Sequence, residues 1–185
     1  AFEGMGAARE ALFAALLEPA LFLVVGALAL HGGTDTLHAS LVLQPALGAT
    51  GVLWCAAVLV LLIVVQVEAA RVPIDDPSTH LELTMVHEVM VLDHSAQDLA
   101  AIQLAAALKL YLGTALLATL LNPWAGALDW RCAGANLALC VGLAAVLGTL
   151  ESLSARLRMR AVPLYIAAAL CAGVVALLAS TGGAA

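Results

Sequence analysis

Five long apolar stretches are the feature of this sequence that most constrains its fold. Of the 185 residues, 64% are hydrophobic and only 11% are charged, and the mean hydropathy is +1.06. A helix needs about 20 mostly apolar residues to cross the hydrocarbon of a bilayer. The stretches that meet this requirement lie at about residues 11–30, 47–67, 99–121, 135–150 and 162–179. The sequence therefore predicts an all-α integral membrane bundle of about five transmembrane helices, which forms a single membrane domain over residues 1–185.

The distribution of basic residues between these stretches indicates how the bundle is oriented. Arg9 precedes the first span, Arg71 follows the second, and three arginines at positions 156, 158 and 160 follow the fourth. All of these positions lie on one side of an alternating five-span bundle, whereas the other side has only Arg131. Because Lys and Arg accumulate in cytoplasmic loops, we expect the Arg71–Asp98 loop to face the cytoplasm.

Composition also limits the partners and sites of this chain. It has no basic patch with interleaved aromatic residues, so a nucleic-acid partner is not expected, and membrane lipids are. None of its four cysteines belongs to a C-x-x-C pair, so we expect no metal or iron–sulfur site within the chain. The sequence begins without Met and without a secretory signal. We therefore expect a fragment or a processed chain.

One polar segment interrupts the apolar sequence at residues 70–95, ARVPIDDPSTHLELTMVHEVMVLDHS. Pro73 and Pro77 end any continuation of the second span, and Asp76 before Pro77 is a typical helix N-cap. The spacing of apolar residues predicts an amphipathic helix over residues 77–92. Glu82 falls on its apolar side, where it either extends to water or acts as a buried, proton-exchanging carboxylate. We favour the second interpretation.

Three histidines recur every seven residues in the same segment, at His80, His87 and His94. Neighbouring members of this row are about 10 Å apart at a rise of 1.5 Å per residue, which is too far for one metal ion. The zinc-protease pattern H-E-x-x-H fails because position 91 is Val. The histidines form either a solvated or partner-facing stripe or a protonatable one.

Charged residues within or at the ends of the spans are the strongest candidates for a functional site. Glu18 and Lys109 lie inside the first and third spans, and Glu68 and Glu151 close the second and fourth. Such charges usually face a bundle interior or a water-filled path. An ion pair between Glu18 and Lys109 and interfacial anchoring by the other two acids are the alternatives. We favour a proton path that continues through Glu68 and Glu18 towards Lys109. It starts from the loop acids Asp75, Asp76 and Glu82.

Residues 68–95, EAARVPIDDPSTHLELTMVHEVMVLDHS, closely resemble the signature loop of the membrane subunit of energy-conserving [NiFe] hydrogenases. The best match is formate hydrogenlyase subunit 4 and hydrogenase-4 component C, a family similar to subunit 1 of respiratory complex I. GMGAAREALFAALLEPALF at 4–22 and ESLSARLRMRAVP at 151–163 agree as well. The resemblance covers nearly the whole chain and corresponds to the C-terminal part of family members, so we expect an N-terminal part to be missing.

The resemblance implies a non-catalytic membrane subunit that anchors a soluble redox arm and takes part in proton or sodium translocation. The implied partners are the hydrogenase large and small subunits and antiporter-like membrane subunits, in a prokaryotic plasma (inner) membrane. This chain is expected to bind no cofactor, since the [NiFe] centre and the iron–sulfur clusters belong to partner subunits. The proposed arm-docking loop comprises Arg71, Asp75, Asp76, His80, His87 and His94. The proton-path candidates are Glu18, Glu68, Glu82, Lys109 and Glu151; no residue is assigned a catalytic or a metal-binding role.

The main alternative is the quinone-site subunit of a complex I-like NADH:quinone oxidoreductase. In complex I the same loop helps to form the quinone chamber, and acidic residues follow its proline. Glu82 matches one of those acids, but Ser78 and His80 stand where two others would be. This departure favours the hydrogenase branch. An independent transporter is less compatible with the sequence because the chain has no evident internal repeat.

Overall fold

The computed structural model describes residues 2–34, 36–72, 74, 95–127, 129–153, 157 and 161–182. Within these residues the secondary structure is entirely helical. The six helices are α1 (Phe2–Gly32), α2 (Leu37–Leu41), α3 (Ala49–Glu68), α4 (Ala96–Leu121), α5 (Trp130–Leu153) and α6 (Val162–Gly182).

All of these helices except the short α2 are long and apolar enough to cross a membrane, which confirms the predicted all-α bundle of five spans. The structure extends α1 back to Phe2 and lengthens α5 at both ends relative to the predicted stretches. Hydropathy marks only the part of a helix that lies in hydrocarbon, whereas the backbone hydrogen bonds continue into the interface. The amphipathic helix predicted over residues 77–92 lies outside the described residues.

Helices α1, α3 and α6 pack against one another and form the core of the bundle. Their interface buries Leu17, Val24, Leu53, Val60 and Ile166, each of which is at most 1% exposed. Helix α4 packs on α3, and α5 packs mainly on α4. Only one side chain of α5 is buried. The other described residues therefore leave most of the apolar surface of α5 uncovered.

Two glycines permit the close crossings in this arrangement. A Cβ atom on Gly173 of α6 would lie 3.2 Å from the Leu23 Cβ and 3.4 Å from the Ala20 carbonyl oxygen on α1. A Cβ atom on Gly113 of α4 would lie only 2.7 Å from the Val65 Cγ2 on α3. Because Val is stiff at χ1, the α3–α4 crossing has no room for a larger residue at position 113.

The two ends of the bundle are held by different polar contacts. Residues 69–95 connect α3 to α4, and we call this side the loop end. There the Tyr165 hydroxyl of α6 donates a hydrogen bond to Oε1 of Gln66 on α3, whose side chain is buried. This contact fixes the last turn of α3 against the core.

At the opposite end, the buried Asn122 joins α4 to α5. Its Nδ2 donates to the Cys132 carbonyl oxygen and to Oδ1 of Asn136, each at 3.1 Å. Its Oδ1 accepts a hydrogen bond from the Trp124 backbone N–H at 2.9 Å. A buried amide with partners for both of its ends stabilises the turn without leaving polar groups unsatisfied.

Replacing Gly113 with Ala should push α4 away from α3 and lower the free energy of unfolding by about 1–3 kcal/mol, the usual cost of overpacking a core. Gly142→Ala on α5 is the matched control, since its added Cβ has no described atom within 4 Å beyond its chain neighbours and its own helix backbone. That variant should keep or slightly raise stability because Ala favours helix more than Gly. Denaturant titration in mild detergent measures both, and equal losses would contradict the interpretation of the crossing.

Candidate functional site

Lys109 forms the centre of an ionic cluster at the loop end of the bundle. Its Nζ lies 3.3 Å from Oε1 of Glu10 and 3.4 Å from Oε2 of Glu68. The side chains of Glu10 and Glu68 are 30% and 28% exposed, and that of Lys109 is 43% exposed. We call these three residues the lysine cluster. One ammonium is thus shared by two partly buried carboxylates, each from a different helix.

The local structure of three helices brings the cluster together. Glu10 lies about two turns after the start of α1, Glu68 is the last residue of α3, and Lys109 lies near the middle of α4. Gly113, one turn further along α4 than Lys109, makes the close contact with α3. Without that approach Lys109 would stand further from Glu68.

The end of α3 is a Schellman turn, which separates Glu68 from Arg71. The Arg71 backbone N–H donates to the Gln66 carbonyl oxygen at 2.9 Å, and the Ala70 N–H donates to that of Val67 at 3.1 Å. Ala70 has a φ of +48°, in the left-handed region where glycine is usual, so this turn is strained. It ends the helix immediately after Glu68 and directs the chain away from the α3 axis.

Beyond this turn, Arg71 forms a second ion pair. Its guanidinium lies 3.4 Å from Oε1 of Glu151, near the end of α5. Apart from α4, α5 has little contact with the rest of the bundle. The pair therefore links the first residues of the loop to α5, which packs little against the core.

Two clefts meet at the lysine cluster. One, of about 160 Å³, is lined by the three cluster residues, by Ile102 and two alanines of α4, and by two alanines of the α3 turn. The other, of about 190 Å³, is lined by apolar residues of α1, α3 and α4 together with Glu68 and Lys109. A water molecule occupies about 30 Å³ in the liquid. The first cleft has room for several waters against charged groups, and Glu68 and Lys109 stand between it and the apolar cleft.

The two acids of this cluster interact electrostatically through their shared ammonium. A carboxylate that takes up a proton no longer attracts the ammonium, which then interacts more strongly with the other carboxylate. Two unit charges about 4 Å apart interact by roughly 4 kcal/mol at the effective dielectric constant near a protein surface. A change of protonation at one acid of the cluster therefore alters the interaction energy between Lys109 and the other acid.

Glu10 is the member of the site that sequence reasoning missed. It precedes the first apolar stretch and resembles an interfacial residue. Its position on α1 nevertheless continues the buried face that includes Phe13, Leu17 and Val24, at spacings of three, four and seven. That periodicity is the signal that places Glu10 towards the bundle.

The other predicted site residues fall into three groups. Glu18 is exposed on α1, and Lys109 pairs with Glu10 and Glu68 instead of with it. Glu151 pairs with Arg71. The remaining loop residues lie outside the described part of the chain, so their roles stay predictions: Asp75, Asp76, His80, Glu82, His87 and His94. Among the described residues, no three His, Cys, Asp or Glu side chains gather in a metal-binding group.

Comparison with known proteins relates the chain to one family. A family model described as NADH dehydrogenase matches residues 1–181. No curated protein and no solved structure matches the chain.

Replacing Lys109 with Met should leave two carboxylates close together without their shared cation. We expect the free energy of unfolding to fall by about 1–3 kcal/mol, as when one partner of a charge-assisted contact is removed. The double variant with Glu10→Gln as well should recover part of that loss, because the repulsion is then relieved. The free energies of unfolding of the two single variants and the double variant, measured in mild detergent, form a thermodynamic cycle with the unmodified protein. Strictly additive effects would show that the contact contributes nothing.

Proposed function

This chain belongs to the NADH dehydrogenase family, the complex I subunit 1 type shared with hydrogenase membrane subunits, and we propose that it couples ion translocation to a membrane-bound [NiFe] hydrogenase or formate hydrogenlyase. Membership of this family and the five apolar helices make it a multi-pass membrane subunit of a complex I-like oxidoreductase with several subunits. Our proposal concerns the branch of that family, the docked partners and the residues that couple them.

The loop sequence supports the hydrogenase branch. Residues 68–95 resemble the signature loop of hydrogenase membrane subunits, and Ser78 and His80 replace acids of the complex I pattern. In this proposal the loop faces the cytoplasm of a prokaryotic plasma membrane and docks the hydrogenase small and large subunits. Those partners carry the iron–sulfur clusters and the [NiFe] centre and perform the redox chemistry. Antiporter-like membrane subunits are the further partners.

The lysine cluster is the observation that carries the coupling role. It includes Glu68, the last residue of α3 before the docking loop, and it borders a cleft with room for water. A charge change in the docked arm acts on the loop acids and on Arg71. In this proposal the change passes from Arg71 across the Schellman turn at Ala70 to Glu68, and Lys109 relays it to Glu10.

We propose the proton as the primary ion, with sodium as the alternative. The ammonium of Lys109 occupies the position between two carboxylates that a sodium ion would need. Protons require only exchangeable groups and waters in sequence. Glu18, Glu82 and Glu151 remain candidates for the rest of the path, with Glu151 acting through its pair with Arg71.

The description of the matching family favours a second candidate, the quinone-site subunit of a complex I-like NADH:quinone oxidoreductase. In that function the apolar cleft beside Lys109 and the loop would lie near the quinone chamber. The two candidates differ in the electron acceptor and in the partners, and both use the lysine cluster for coupling.

Replacing Glu68 or Glu10 with Gln should uncouple proton translocation from turnover. We expect hydrogen production by the intact complex to stay within about twofold, while protons translocated per hydrogen fall at least fivefold, because general acid–base groups of this kind contribute about 10²–10⁴-fold to proton transfer. Asp98→Asn is the matched control, since Asp98 contacts Ser95 at the exposed start of α4. Acidification by inverted vesicles, measured alongside hydrogen, gives the ratio. Wild-type ratios in both variants would reject the coupling role.

Purification of the complex in mild detergent should recover a [NiFe] large subunit together with this chain. Photoaffinity labelling with a quinone analogue should label residues 68–95 no more strongly than in a control treated with a competitor. Peptide mass spectrometry identifies both outcomes. Recovery of NADH-oxidising subunits with specific quinone labelling of the loop would instead establish the second candidate.

A further inference from the structure

The ammonium of Lys109 lies where two acids and the end of a helix converge. Its Nζ is 3.3 Å from Oε1 of Glu10 and 3.4 Å from Oε2 of Glu68. Ala69 and Ala70, which follow the last residue of α3, line the cleft beside these three side chains. The C-terminal end of a helix carries partial negative charge. These groups therefore surround the Nζ with negative charge.

The same groups, without the ammonium, are of the kind that binds a hard cation. Hard cations such as Na⁺ take oxygen ligands, and carboxylates are common among them. Glu10 and Glu68 supply carboxylate oxygens from two different helices. The adjoining cleft of about 160 Å³ has room for waters that complete a coordination shell. Lys109 thus occupies the position that such an ion would take.

A tethered cation has an advantage over a free one at this position. Lys109 is part of α4, so its ammonium competes intramolecularly, whereas a Na⁺ ion loses translational freedom and hydration when it binds. A Na⁺ ion between the same carboxylates would also lie next to the ammonium and be repelled by it. The cluster therefore disfavours Na⁺ as long as Lys109 is present and charged.

A proton is not excluded in the same way. It binds to a single carboxylate oxygen and needs no coordination shell of its own, and the neutral carboxyl group can still hydrogen-bond. The ammonium of Lys109 then stays with the other acid. Glu10 or Glu68 can therefore take up a proton beside Lys109, although the pair has no place for a second cation.

We propose that Lys109 determines the ion specificity of the lysine cluster, as a tethered counter-cation that admits protons and excludes Na⁺. The proposal rests on the coupling function proposed above and deepens it, because it names the ion that this site handles and the residue that selects it. It also predicts a gain of binding. With a small neutral residue at position 109, Glu10 and Glu68 become ligands of Na⁺, whereas an ion pair with a purely structural role predicts no such gain.

Carbodiimide labelling of the intact complex tests the proposal at the residues concerned. Dicyclohexylcarbodiimide reacts with protonated carboxyl groups in membranes, so bound Na⁺ protects the acids that hold it. In Lys109→Ala, Na⁺ at ten times its dissociation constant should slow labelling of Glu10 and Glu68 about tenfold relative to choline. In the unmodified complex the two salts should give equal labelling. Peptide mass spectrometry resolves each position, and Glu18, which is exposed on α1, is the internal reference that Na⁺ should not affect.

Two further variants serve as matched controls. Lys109→Arg keeps a cation between the acids, so its labelling should be as insensitive to Na⁺ as that of the unmodified complex. Lys109→Ala combined with Glu68→Gln removes one of the two carboxylate ligands, so protection of Glu10 by Na⁺ should disappear.

Thermal unfolding of the full chain in mild detergent is a second measurement, which needs neither the reagent nor the other subunits. Na⁺ at ten times its dissociation constant should raise the Tm of Lys109→Ala by about 3–6 °C relative to choline at equal ionic strength. The Tm of the unmodified chain and of Lys109→Arg should be the same in both salts. Folding of Lys109→Ala only in the presence of Na⁺ would support the proposal equally. Lys109→Gln replaces Lys109→Ala if that variant folds in neither salt.

Either of two results overturns the proposal. One is protection or stabilisation of the unmodified protein by Na⁺, which requires no variant and would show that Lys109 does not exclude the ion. The other is the absence of a Na⁺ effect on the neutral variants at position 109. Neither measurement involves turnover, so a wild-type coupling ratio in Glu68→Gln rejects the coupling role without changing the Na⁺ result. Binding of Na⁺ to the unmodified protein would instead leave the coupling role open, with sodium as its ion.

Discussion

The charges of this protein are governed by the cost of placing an ionised group where water is scarce. Lys109 satisfies that constraint for two acids at once, since one ammonium contacts both Glu10 and Glu68. The helices that carry these residues meet closely enough because the α3–α4 crossing tolerates only a hydrogen atom at Gly113. Packing and electrostatics are therefore connected here: the crossing brings the charges together, and their pairing makes the crossing compatible with an apolar solvent.

The sequence predicts the spans well and the pairing of their charges poorly. Hydropathy depends on windows of about 20 residues, so the five helices follow from composition along the chain. Pairing depends on the rotation of each helix about its axis and on which helices are neighbours, and no local window contains that information. The apolar surroundings mark Lys109 and Glu68 as unusual but not Glu10, because Glu10 precedes the apolar stretch. Glu18 stands inside that stretch, yet the structure directs it outward.

The family of this chain is established, whereas its branch within the family is a proposal. The two depend on different parts of the chain. The family model matches residues 1–181, a range that includes both the spans and the loop. Our proposal of the hydrogenase branch rests on a few loop positions, including Ser78 and His80. The lysine cluster, which we propose as the coupling site, is compatible with either kind of complex. In our proposal the partner proteins determine the redox chemistry.

The strained turn at Ala70 has a consequence for hybrids between this chain and its relatives. Glu68 lies on one side of the turn and contacts Lys109, while Arg71 lies on the other side and contacts Glu151 of α5. A junction placed between them would combine a helix end from one parent with a turn from the other and misdirect both side chains. A transplanted loop should therefore begin after Arg71, or Arg71 should be exchanged together with Glu151. The segment that has to be exchanged as a whole at this end of the molecule is the turn with the ion pairs on either side of it, not the loop alone.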